Sequence, residues 1–251
     1  MNSVELAQHE PRYDTGPGKY RIGLVTLSND YVTERDFINM RPNDDVSIYV
    51  SRLLNTPQCT VETLQEMESK ITEATSLLVP EGRLDVVAYS CTSGTAVMGF
   101  EKIESLIQRA RPNIVCVTPL TSSLAAMDLF GIKRIAVLTP YIDEVNTRIA
   151  NYLQARDKTI CAFTSFKLAH NEDMARLTAE SIFQGALEAD REDAEALFIS
   201  CTAIRAVDVI DRIEQKIAKP VITAVQAMFW QSLRLAGCAE KISGYGQLMK
   251  R

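Results

Sequence analysis

Two stretches of this chain are near copies of each other. Asp85-Val-Val-Ala-Tyr-Ser-Cys91-Thr-Ser93 has its counterpart in Ala196-Leu-Phe-Ile-Ser-Cys201-Thr-Ala203. In each, an apolar run typical of a buried parallel strand delivers a cysteine to the point where the strand should stop and a helix begin. The two cysteines are separated by a little under half of a chain of 251 residues. The repeat extends outward. Arg21-Ile-Gly-Leu-Val-Thr26 returns as Arg134-Ile-Ala-Val-Leu-Thr139, and Asn113-Ile-Val-Cys-Val-Thr118 returns as Lys219-Pro-Val-Ile-Thr-Ala224. Shifts of similar size at several places indicate an internal duplication of a unit of ordinary domain size. A cysteine at the same place in each of two similar halves can set two thiols face to face.

Within each unit strands and helices alternate. Ile22–Thr26, Val46–Val50, Val86–Tyr89 and Ile114–Val117 read as strands. Helical spacing of apolar residues runs over 60–78 and 94–109 in the first half. In the second half it recurs around Ile142–Tyr152, Ala175–Ala186 and Val207–Ile217. The expected fold is α/β, with two pseudo-symmetric, duplicated halves. Each half is a mostly parallel four-stranded sheet flanked by helices, and the active-site cleft lies between them. The expected division is a flexible arm over 1–20, a first half over 21–126 carrying Cys91, and a second half over 127–251 carrying Cys201. The C-terminal segment is expected to pack back on the first half. Residues 40–45 read as a flap over the cleft or as a simple polar loop.

Composition removes several classes. The net charge is −5 and no basic stripe is present, so nucleic acid and anionic membrane surfaces are poor partners. No apolar run approaches the ~20 residues that span a bilayer. The segment from Met1 to Lys19 lacks the apolar core of a signal peptide, so a cytoplasmic location with reduced thiols is expected. None of the six cysteines forms a Cys-x-x-Cys pair, and His9 and His170 are distant from them in sequence. No metal site is expected. No Gly-x-Gly-x-x-Gly or Walker loop follows a strand, so no cofactor is expected. Cys59, Cys116, Cys161 and Cys238 read as small apolar fillers or incidental surface thiols. The oligomeric state is left open, a homo-oligomer included.

Cys91 and Cys201 are the candidate catalytic residues. A free thiol ionises near ~8.5, and a helix N-terminus lowers that value. Thr92, Ser93 and Thr202 add hydroxyl donors beside the thiols, and Gly94 lets the backbone approach closely. One Ser-Cys-Thr alone would be read as a buried cysteine before a helix cap; two at matched positions point to catalysis. Asn29 and Tyr141 fall in equivalent loops after the first strand of each half, though an asparagine there also suits a turn. Asn171 stands before a helix, where capping and ligand contact are equally good readings.

These residues resemble the aspartate/glutamate racemase superfamily, cofactor-independent enzymes with two α/β halves and a cysteine from each. The resemblance runs from Arg21 onward. Asn29, Cys91, Tyr141, Asn171 and Cys201 match, in order, the set carried by maleate cis-trans isomerases. Thr139-Pro-Tyr-Ile-Asp-Glu-Val-Asn146, Phe229-Trp-Gln-Ser-Leu-Arg-Leu-Ala-Gly237, Gly244-Tyr-Gly246 and the Thr92-Ser93 pair resemble arylmalonate decarboxylases. Those decarboxylases, however, have glycine in place of Cys91 and a Gly-Gly pair in place of Thr202-Ala203. Amino-acid racemases carry a histidine after the second cysteine, which is absent here. The resemblance therefore implies a two-cysteine isomerase of a small carboxylate or dicarboxylate such as maleate. A racemase, an arylmalonate-type decarboxylase and a non-enzymatic small-molecule sensor are the alternatives. Asn29, Thr92, Ser93, Tyr141, Asn171 and Thr202 would hold the carboxylates. The hydroxyl-rich turn after Cys91 predicts that it is the nucleophile and Cys201 the proton donor. Arg205, if turned toward Cys201, would reverse those roles.

Overall fold

The computed structural model describes residues 4–251. The first half runs β1 (Tyr20–Leu27), α1 (Thr33–Met40), β2 (Val46–Leu53), α2 (Val61–Glu66), α3 (Glu68–Ser76), β3 (Val86–Tyr89), α4 (Thr92–Met98), α5 (Phe100–Ala110), β4 (Val115–Val117) and α6 (Pro119–Leu129). The second half runs β5 (Arg134–Tyr141), α7 (Asp143–Gln154), β6 (Thr159–Leu168), α8 (Asn171–Arg176), α9 (Ala179–Ala189), β7 (Ala196–Ile199), α10 (Ile210–Ile217), β8 (Val221–Thr223) and α11 (Ala224–Leu235).

The two sheets have the same topology, β2-β1-β3-β4 and β6-β5-β7-β8, with every pairing parallel. This is the duplicated architecture expected from the sequence. Val86–Tyr89 and Ala196–Ile199 are buried along their whole length, as befits strands covered by helices on both faces. Each of their Val, Leu, Ile and Phe side chains contributes roughly 1.5–3 kcal/mol of burial. A parallel sheet has all its carboxyl ends on one rim. The residues following β1 and β3 are therefore collected on one rim and those following β5 and β7 on another, and the packing of the halves brings the two rims together.

The halves share their last helices. α11 packs on α6, α1 and the first sheet, while α6 packs on β8. Phe37 and Phe229 meet with ring centroids 4.7 Å apart, and Ser122 donates to Gln231 at 2.6 Å. α6 and α11 each begin with a capping box, Thr118 with Thr121 and Thr223 with Gln226. Both starts are thereby fixed at the ends of β4 and β8.

Local breaks depart from the sequence reading. The helix expected over 94–109 is two, separated at Gly99, whose φ of +84° no side-chain-bearing residue adopts easily. The helix expected over 60–78 is likewise split at Met67. Loop 41–45 lies at the amino end of β2, where the Tyr20 N–H donates to the Asp45 carbonyl at 2.9 Å. It is at the opposite rim from the cysteines, so it is a polar loop and not a flap. No helix among the described residues is long and apolar enough to cross a membrane.

Candidate active site

The carboxyl ends of the two sheets meet around a small cavity. Cys91, Thr92 and Ser93 enter it from the end of β3, and Cys201 and Thr202 from the end of β7. Tyr141 at the end of β5, Asn29 after β1 and Asn171 at the start of α8 complete the set. All eight residues singled out in the sequence thus border one space. A wider, open groove along β6 is lined by Asp143, Gln154, Phe163 and Lys167 among others, and contains no matched thiols.

Cys91 is the N-cap residue of α4, and its sulfur accepts from the Gly94 N–H at 3.2 Å. Ser93 Oγ is 3.6 Å from the same sulfur. Burial pushes the Cys91 thiol up; Ser93, the Gly94 N–H and the Tyr89 hydroxyl oppose that push, and the nearby Asp30 adds to it. The Thr92 hydroxyl is buried with no protein partner. A buried hydroxyl bordering the cavity without a partner is a donor held ready for a ligand.

Cys201 differs from the expectation. No helix starts after it; residues 201–205 form an irregular turn, and a short 3₁₀ segment, Ala206–Val209, precedes α10. Cys201 itself has φ +121°, which is strained for a residue with a side chain. The turn still supplies a backbone donor, because the Ala203 N–H reaches the Cys201 sulfur at 3.2 Å. The apolar Ala203 and Ile204 read as a helix start, but the backbone reverses before them. Burial raises the Cys201 thiol strongly, opposed by its hydrogen bond to Tyr141 and by the Ala203 N–H. The Arg205 guanidinium donates to the Leu177 carbonyl at 2.8 Å, so it is committed elsewhere.

Beneath the thiols lies a polar layer that the sequence reading missed. Asp30 accepts from the Val32 and Thr33 N–H groups at 2.7 and 2.8 Å and from the Thr26 and Thr33 hydroxyls at 2.6 Å each. Thr33 Oγ1 also lies 2.9 Å from Ser90 Oγ. The Thr202 hydroxyl donates to the Ser90 carbonyl at 3.4 Å, joining the halves directly below the cysteines. The second half repeats the plan with an amide: Thr139 donates to Asn146 at 2.5 Å, and Asn146 to the Tyr141 carbonyl at 2.8 Å. The signal for Asp30 was its place in the loop equivalent to Tyr141.

The real cover is the segment after β2. Asn55 donates to Asn29 Oδ1 at 2.9 Å, the Asn171 N–H to the Pro57 carbonyl at 3.1 Å, and the Cys59 N–H to the Ala169 carbonyl at 2.9 Å. Gln58 and His170 form an antiparallel bridge. Cys59, read as a filler, is therefore at the site: its sulfur is 3.6 Å from Ser93 Oγ. Cys116 and Cys238 are buried away from the cavity, and Cys161 is partly exposed in the β6 groove.

Two like α/β halves with a buried thiol from each, facing one small cavity, define a class of paired-cysteine α/β proteins. Within it, this chain belongs to the arylmalonate decarboxylase family, whose sequence model matches residues 44–249. The arylmalonate decarboxylase of Bordetella bronchiseptica is 29% identical over 152 residues, which cover 59% of this chain and 63% of that protein. The maleate isomerase of Alcaligenes faecalis is 23% identical over 247 residues, covering 92% and 96% of the two chains. Among solved structures, a cysteine-to-serine mutant of the Nocardia farcinica maleate cis-trans isomerase holds a covalently bound succinylcysteine intermediate. It superposes with a TM-score of 0.85 at 19% identity, over 92% of this chain and 98% of that one. The resemblance read from the sequence is borne out in both branches.

Proposed function

We propose that this protein is a cofactor-independent cis-trans isomerase of a small unsaturated dicarboxylate of the maleate type. The observation that carries the reading is the pair of thiols, Cys91 and Cys201, bordering one small cavity at the carboxyl rim of both sheets. A one-thiol decarboxylation needs only a proton donor, whereas addition and protonation across a double bond need one group for each carbon.

In the proposed reaction the Cys91 thiolate adds to one alkene carbon. The π electrons move toward the carboxylate on the other carbon, giving an enediolate, and Cys201 delivers its S–H proton to that carbon. The new single bond rotates. Cys201 then takes the proton back, the C–S bond breaks, and the trans alkene leaves with Cys91 restored as thiolate. The unequal surroundings of the thiols support these roles: Ser93 and the Gly94 N–H oppose burial at Cys91, whereas burial raises Cys201 strongly. The unpartnered Thr92 hydroxyl, with Ser93, Thr202, Asn29, Tyr141 and Asn171, would bind the carboxylates and the enediolate. The succinylcysteine held by the Nocardia farcinica enzyme is the species expected after addition and protonation.

The family assignment and the 29% identical relative give decarboxylation of an arylmalonate as the second reading. Incubation in D₂O with maleate, aspartate, glutamate and phenylmalonate, followed by NMR, separates the outcomes. Fumarate supports the proposal. CO₂ release from phenylmalonate without fumarate, or deuterium at Cα of an amino acid alone, refutes it.

A further inference from the structure

Cys59 has no part in the chemistry above, yet it shares Ser93 with Cys91. Ser93 Oγ stands 3.6 Å from each of the two sulfurs. A serine hydroxyl has one proton and two lone pairs, so it can donate to one sulfur while accepting from the other. Cys59 is the donor in its contact with Ser93. We propose that Cys59 is a positioning residue: its S–H donates to Ser93 Oγ and thereby aims the single Ser93 hydroxyl proton at the Cys91 sulfur.

Three features support this. Cys59 is held by the chain, because its N–H is fixed to the Ala169 carbonyl of the other half at 2.9 Å, immediately before the cap of α2. It is only 4% exposed, so no water competes readily for its proton. Burial, and then any charge on Cys91, hold the Cys59 thiol up at about 12 against the lowering effect of its contact with Ser93, so it keeps its proton when Cys91 ionises. The arrangement is thus directional: the thiol that stays neutral orients the hydroxyl that stabilises the thiol that works. Sequence reading placed Cys59 among the fillers because nothing local in 54–60 shows that this segment crosses to the other half.

The inference rests on the reading of Cys91 as the reactive thiolate, but its test needs no substrate. The rate of Cys91 carbamidomethylation by iodoacetamide is measured against pH, by peptide mass spectrometry, in the full-length wild type and in Cys59→Ser, Cys59→Ala and Cys59→Val. The other groups facing Cys91 are Asp30 after β1, Tyr89 on β3, and Tyr141 and Cys201 from the second half. All are unchanged in these variants. Cys201, read in the same digest, reports any general opening of the cavity.

Expected at pH 7.5 is a loss of about 3- to 10-fold in Cys91 labelling for Cys59→Ala and Cys59→Val, with the profile moved to higher pH. Cys59→Ser, which keeps a donor, should lie near wild type. A packing role would give the opposite order, with valine tolerated and serine costly. In a Ser93→Ala background, Cys59→Val should have no further effect on the profile. Wild-type labelling in the alanine and valine variants, serine no better than valine, or a full shift surviving in the Ser93→Ala background would each overturn the assignment. A protein that shows the expected shifts but makes no fumarate would retain this inference and lose the isomerase reading.

Discussion

Gly94→Ala is the sharpest perturbation the site offers. On propensity alone it should help, since alanine in place of glycine stabilises a helix by roughly 0.5–1 kcal/mol. The surroundings reverse that gain. A Cβ at Gly94 would lie 2.9 Å from the Cys91 sulfur, 3.0 Å from the Tyr89 hydroxyl oxygen and 3.2 Å from Met67 Cε. Ordinary contact begins at 3.4 Å, so the sulfur must retreat by several tenths of an ångström. Met67 is the end of a flexible chain and can yield. Tyr89 is fully buried and cannot easily do so. Overpacking of this kind costs about 1–3 kcal/mol. Set against the helix gain, the net loss is about 0–2.5 kcal/mol, which at this size lowers Tm by up to about 10 °C. The larger effect is on chemistry. The moving sulfur stretches its 3.2 Å bond from the Gly94 N–H, and since a 1 Å misplacement costs ~10²-fold, a shift of about half that size costs on the order of 10-fold. Maleate turnover followed by absorbance, with Cys91 alkylation and a thermal melt on the same preparation, should show activity and labelling falling far more than stability. A folded Gly94→Ala protein with wild-type kcat and wild-type Cys91 labelling would refute the close fit around this sulfur.

Cys91→Ala and Cys201→Ala should each abolish fumarate formation by at least ~10³-fold while melting cooperatively, since each removes one of the two groups that act on the alkene; circular dichroism and turnover check both. Cys116→Ser and Cys161→Ser should retain turnover in the same assay. At Cys201 the φ of +121° makes glycine the better replacement, so Cys201→Gly should melt above Cys201→Ala despite the usual entropy cost of glycine. Asp36 is buried, with one carboxylate oxygen unpartnered, and burial raises it from 3.8 to about 7 despite the neighbouring Arg35. Because the folded value lies above the unfolded one, stability is greatest below pH 3.8 on this account and falls as pH rises toward 7, by up to ~4 kcal/mol. Asp36→Asn should therefore raise Tm at pH 8 and change it little at pH 4.5; an unchanged difference between those pH values would contradict the assignment.

What the sequence revealed was what topology makes inevitable. Once Val86–Tyr89 and Ala196–Ile199 read as interior parallel strands, Cys91 had to join Asn29 on the carboxyl rim of the first sheet and Cys201 to join Tyr141 on that of the second, and the packing of the two halves turns those rims toward one cavity. What stayed hidden depended on single backbone angles or on contacts across the chain. Nothing in Cys-Thr-Ala-Ile announces φ +121° at Cys201, because residues with side chains rarely take it. The break at Gly99 was invisible because helical spacing continues on both sides of it. Cys59 and Asn55 became site neighbours only because the segment after β2 bonds to Ala169, Asn171 and Asn29, at separations no local pattern reports.

Duplication explains why there are two thiols; divergence between the copies explains why they need not do the same thing. Thr26 and Thr139 occupy equivalent places, but the first hydrogen bonds to Asp30 and the second to Asn146. The charge of Asp30 counts against ionising Cys91, and the first half answers with donors: the Gly94 N–H and Ser93. The second half supplies Tyr141 and the Ala203 N–H to a sulfur in a more apolar turn, and that thiol stays the more firmly protonated. An addition across a double bond needs this inequality, since a thiolate on one face must coexist with a thiol on the other. The divergence of the two rims thus assigns the two thiols different roles, and the alkylation profiles of Cys91 and Cys201 measure it directly.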